Sequence, residues 1–212
     1  MELVKFGGAN LPSVKTLAAG LKSIRSENSG GMAIIKMDKT GSWAFGADGV
    51  EVEPDSRWAV NPFSFVHGYI AWGEGEVLAE FMTPVTEPLP DLPPAPAGAK
   101  KGWETQVGFM VQCISGEDEG TECRYATTSV GGKRAVQELG LAIAEQVEKD
   151  ERKPVAIVLL KKDHYSHKQY GKIFTPVFDV VDWVSLDGPS SDAAEPPADE
   201  EVPARRRRRA TA

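Results

Sequence analysis

Only two stretches of this sequence repeat their apolar residues at helical spacing. The first is Pro12 to Arg25, where Leu11, Val14, Leu17, Ala18, Leu21 and Ile24 recur every three or four residues. Asn10 suits its cap, Pro12 its first turn, and Ser29-Gly30-Gly31 its end. The second is Gly132 to Lys149, with Val136, Leu139, Ile143 and Val147 on one face and Ser129 as cap. Nearly everything else that is apolar comes in short runs closed by Gly, Pro, Asp or Asn. A chain patterned this way must build most of its core from strands.

The expected strands are Met32–Met37, Ser42–Phe45, Trp58–Asn61, Val66–Trp72, Val77–Val85, Trp103–Ile114, Thr121–Thr128, Val155–Leu160 and Val177–Val184. Asp38-Lys39-Thr40-Gly41 supplies a turn between the first two. Trp103–Ile114 and Thr121–Thr128 form a hairpin about Ser115–Gly120. The fold class expected is α+β and mostly β: an OB-like barrel or a curved antiparallel sheet with two helices.

Two stretches interrupt this pattern. Residues 87–102 hold five prolines, which disfavour helix and strand alike and read as a semi-rigid linker or long loop. It separates an N-terminal β-rich part, 1–86, from a C-terminal β part with one helix, 103–186. Residues 187–212 hold Pro, Ala, acids and then Arg205–Arg209, with no apolar periodicity. Such a composition cannot offset the entropy of ordering and reads as a disordered tail.

Composition narrows the function. The 212 residues carry 24 Lys and Arg against 31 Asp and Glu, a net charge of −7. That excludes a uniformly basic nucleic-acid binder. Two cysteines are too few for a disulfide scaffold. Residues 1–9 have no signal-peptide core, and no stretch approaches 18 uninterrupted apolar residues. The expectation is a soluble protein of a reducing compartment.

The familiar catalytic signatures GxSxG, HExxH and GxGxxG are all absent, and nothing points to an enzyme or a cofactor. Asp38-Lys39-Thr40-Gly41 matches the phosphorylation loop of P-type ATPases but lacks the surrounding domains, so an ordinary turn accounts for it. Ser129 to Arg134 places Gly, Lys133 and Arg134 at a helix start, where free N–H groups attract anions; a plain capped helix explains it equally well. Cys113, Cys123, His164 and His167 comprise a zinc ligand set in type, though their spacing departs from the usual knuckles.

The strongest binding signal is cations interleaved with aromatics. Lys153–Lys172 holds five Lys and one Asp, with Lys161, Lys162, His164, Tyr165, His167, Lys168, Tyr170 and Lys172 close together. Single-strand binders need this mixture, since cations follow phosphates and rings stack bases. A solvated hairpin loop is the plainer alternative. Trp43, Trp58, Tyr69 and Trp72 belong to a second aromatic stretch, most of which must point into the core because strand residues alternate. Arg205, Arg206, Arg207, Arg208 and Arg209 form a salt-sensitive nucleic-acid arm or a solubilising tail.

Two segments, Trp58 to Trp72 and His164 to Trp183, resemble a group of poorly characterised tailed-phage proteins. The strand–strand–helix–strand order after Trp103 is similar to phage OB-fold single-stranded DNA-binding proteins. That resemblance implies binding of single-stranded DNA in replication or recombination, in the cytoplasm of a bacterial host. It implies replication or recombination proteins as partners, no membrane and no cofactor, and leaves oligomerisation open. Arg205–Arg209 departs from the acidic tail of such proteins. The alternative is a structural or assembly protein of a phage with a protein partner.

Overall fold

The computed structural model describes residues 32–186. Within them the chain is mostly β, with ten strands and one helix: β1 (Ala33–Met37), β2 (Trp43–Phe45), β3 (Val50–Glu51), β4 (Arg57–Val60), β5 (Val66–Trp72), β6 (Val77–Pro84), β7 (Glu104–Cys113), β8 (Glu122–Thr127), α1 (Val130–Lys149), β9 (Val155–His167) and β10 (Gly171–Val184). The expected helix over Pro12–Arg25 and the expected tail lie outside the described residues.

All ten strands share one mixed sheet, in the order β10-β9-β4-β7-β8-β1-β2-β3, with β5 and β6 branching from β7. β7 is the organising strand. One edge pairs with β8 from Val107 to Gln112. The other edge pairs first with β5 and then with β4. Val60 faces Val111 and Val66 faces Gly108, so six steps along the β4–β5 line match only three on β7. The surplus residues form a stitched bulge. Asn61 N–H donates to the Met110 carbonyl at 3.0 Å, and Ser64 Oγ accepts from Met110 N–H at 2.8 Å. The strands before and after residues 87–102 therefore belong to one sheet. The proline-rich segment is tied back to it, with Lys100 N–H on the Trp72 carbonyl and the Trp103 indole on the Pro93 carbonyl.

Two features depart from the expected architecture. The sheet is not a closed barrel, because no ladder joins β10 or β9 to β2 or β3. Nor is it wholly antiparallel, because β1 runs parallel to β8, with Ala33 opposite Cys123. The sheet still curls far enough to bring its distant strands into side-chain contact. Trp43 on β2 and Phe178 on β10 have ring centroids 5.7 Å apart.

The core fills the inner face of this curl. Ile35, Trp58, Val60, Phe109, Val111, Tyr125 and Val158 are buried there. Helix α1 adds Ala135, Val136, Leu139 and Ile143, the stripe that its sequence periodicity marks, except that Val147 is exposed. Ser129 caps the helix by accepting the Gly132 N–H at 3.0 Å. Buried polar groups are matched: the Trp58 indole donates to Ser56 Oγ at 3.0 Å, and Ser56 Oγ to the Glu53 carbonyl at 2.8 Å. No helix among the described residues is long and apolar enough to cross a membrane.

Candidate nucleic-acid interface

The apolar run that opens β9 ends at Leu160, but the strand does not. Polar residues continue the β9–β10 ladder out to His167 and Gly171, because a hairpin satisfies its backbone groups without burial. The segment expected to be a loop is thus a two-stranded arm. Alternation sorts its side chains onto two faces. Lys162, His164, Phe174 and Lys172 share one face, and Tyr165, Ile173 and His167 the other.

On the first face Phe174 is the centre. The Lys162 and Lys172 ammonium groups lie 5.1 and 4.8 Å from its ring centroid, and the His164 ring lies 5.9 Å away. These are cation–π distances, so the ring gathers two positive charges in a small area. On the second face Tyr165 is 49% exposed. At the tip, Tyr170 is 69% exposed and stacks on His167 at 4.9 Å. His167 Nδ1 accepts the N–H groups of Gln169 and Tyr170, which shapes the turn.

The arm is braced at its base. Lys162 Nζ donates to the Thr40 carbonyl at 3.4 Å, and the Trp43 indole donates to the Lys161 carbonyl at 3.0 Å. The bracing turn is Asp38-Lys39-Thr40-Gly41. Asp38 Oδ1 accepts from Thr40 N–H, Thr40 Oγ1 and Ser42 N–H, at 2.8, 2.7 and 2.9 Å. The Thr40 hydroxyl, more than any other group, holds the Asp38 carboxyl below its ordinary range. This carboxylate builds a turn, as the plainer sequence reading has it. Gly41 has φ of 81°, and a Cβ there would stand 2.8 Å from the Phe174 ring.

No protein family, curated protein or solved structure matches this chain. Its own residues are the guide to what the arm does.

The expected binding residues divide into three groups. Lys161, Lys162, Tyr165, Lys168, Tyr170 and Lys172 all lie on the arm, though Lys161 is paired with Asp179 at 2.5 Å. Lys133 and Arg134 start α1, next to the arm: a Cβ on Gly131 would touch Thr175. Lys133 Nζ turns away to Thr105 Oγ1 at 2.8 Å, while Arg134 is exposed. The third group is the β2–β5 aromatics, and here the structure corrects the expectation for two of them. Trp58 is fully buried and Trp43 nearly so, each with its ring faces packed in the core, so neither offers a surface to a base. Tyr69 is half-buried and Trp72 is 39% exposed, both on β5 and off the arm. Arg205–Arg209 lies outside the described residues.

The zinc set does not assemble. Cys113 and Cys123 are buried in the core, His164 and His167 stand on the exposed arm, and no metal-holding cluster occurs among the described residues. Burial pushes the Cys113 thiol up and the Cys123 thiol up to about 12. Phe174 is the residue that sequence reasoning missed. Its signal was positional: with a turn at Lys168–Tyr170, the alternating residues Lys162, His164, Lys172 and Phe174 fall on one face.

Proposed function

We propose that the β9–β10 arm binds single-stranded nucleic acid with little sequence preference, as a single-stranded DNA-binding protein does. The observation that carries this reading is that one projecting ribbon gathers three lysines and two exposed rings: Lys162 and Lys172 on the Phe174 face, Tyr165 on the other, and Lys168 and Tyr170 at the tip. Cations alone would serve any polyanion. Exposed rings among them suit unpaired bases, whose faces are free to stack. The surrounding protein carries the excess of acid, so the strand is held along the arm and repelled elsewhere. In this reading the chain needs no cofactor and performs no chemistry of its own. Its place is in replication or recombination.

The test is anisotropy of labelled oligo-dT titrated with a chain ending at Leu186, which removes Arg205–Arg209. Binding at low salt that weakens as salt rises, and exceeds binding to a duplex of equal length, is the expected result. Tryptophan quenching is a poor readout, because no tryptophan lies between Lys161 and Pro176, the outer part of the hairpin. Absence of binding at low salt overturns the proposal.

A further inference from the structure

We infer that the outer face of the sheet is the seat of the chain's own N-terminal segment, residues 11–25. This inference is independent of nucleic-acid binding. The face opposite the core carries a groove of about 790 Å³ that crosses six adjacent strands. Its floor takes one residue from each strand or its start: Met32, Glu122, Met110, Ala59, Ile157 and Val184. Apolar side chains stand open along it, with Phe63 76%, Met110 39% and Ile114 38% exposed.

Three observations choose the occupant. The first is connection: Met32 lines the groove, so the preceding chain enters at the β1 end. The six residues from Ser26 to Gly31 give a leash of about 20 Å when extended. The second is length. Six strands spaced about 4.8 Å apart span about 24 Å. The helix expected over Pro12–Arg25 would be about 21 Å long. Its stripe of Leu17, Leu21 and Ile24 supplies the apolar face that the groove lacks.

The third observation is charge, and it fixes direction. The groove is lined by Glu119 and Glu122 near the β1 end and by Asp182 on β10, against a single cation, Arg57. Residues 11–25 contain Lys15, Lys22 and Arg25 and no acid. A segment leashed at Met32 brings Lys22 and Arg25 to the glutamates and Lys15 toward Asp182. The C-terminal segment also starts beside the groove, at Leu186, but residues 187–212 have no comparable apolar stripe.

Hydroxyl-radical footprinting of the full chain tests this by reading Met110 oxidation. A several-fold rise in the Leu17→Glu/Leu21→Glu variant over the wild type is expected. Equal rates overturn the inference. Protection that grows with protein concentration overturns it in favour of a second copy. Protection lost on ending the chain at Leu186 overturns it in favour of the C-terminal segment. A crosslink that requires no destabilising charge gives a second measurement. Leu21→Cys with Met110→Cys should form an intramolecular disulfide, and Ser23→Cys with Met110→Cys should not. No difference between the two pairs overturns the inference as well.

Discussion

The Trp43 indole N–H donates to the carbonyl of Lys161 at 3.0 Å and thereby joins two strands that share no ladder. This bond and the Trp43–Phe178 contact hold the curl of the sheet in place of barrel closure. Trp43→Phe keeps most of the packing and leaves the Lys161 carbonyl without its donor. The expected loss is about 1 kcal/mol, as for a single hydrogen bond, measured as a lower urea midpoint at unchanged slope. Trp43→Ala also opens a cavity and should cost about 3–5 kcal/mol.

Strand binding should separate ring and charge contributions on the arm. Tyr165→Ala and Tyr170→Ala should each weaken oligo-dT binding by about 1–3 kcal/mol at fixed salt, with the salt slope unchanged. Lys168→Ala and Lys172→Ala should each lower the slope of log K against log salt by about 0.7, the value for one single-strand phosphate contact. Titrations at four salt concentrations measure both. Equal behaviour of the two classes would contradict the assignment of roles.

Gly68 allows β5 and β6 to approach. A Cβ at this position would stand 1.9 Å from the backbone oxygen of Phe81, which cannot rotate away as a side chain can. Gly68→Ala should therefore force the pair apart at a cost of about 1–3 kcal/mol. Hydrogen exchange should show faster exchange in Val66–Trp72 and Val77–Pro84, and little change in the arm.

High pH should destabilise the fold through two buried groups. Burial raises the Cys123 thiol from 9.0 to about 12 and the Tyr125 hydroxyl from 10.0 to about 12. Their stabilising effect is fully present below the unfolded values. The unfolded chain releases these protons first, so stability falls as pH rises from about 9 toward 12. Cys123→Ala and Tyr125→Phe should flatten the alkaline limb of a plot of urea midpoint against pH. For the same reason the folded protein should resist thiol reagents at pH 8, and unfolding should expose both cysteines.

Where burial and pairing coincide, the sequence pattern was legible. Val66–Trp72 reads as a strand and is one, and the α1 stripe packs as its spacing requires, apart from Val147 in its last turn. Where they diverge, the pattern misleads. β9 reads as ending at Leu160 because apolarity ends there, yet β10 continues to pair with it through Asp163 and Ser166. Trp43 and Trp58 cannot be told from exposed rings until the register with their neighbours is known. β3 is too short, at Val50–Glu51, to leave a periodic trace.

The parallel pairing of β1 with β8 has a consequence in time. Ala33 finds its partner at Cys123, so β1 emerges from the ribosome with one edge open and must wait for β8. At about 5–20 residues per second the wait lasts roughly 5–20 s. During that interval the edge is a template for any extended chain nearby. Closing so long a loop must also precede the contacts that reward it, as it must for the still longer one between β4 and β9, where Arg57 pairs with Leu159.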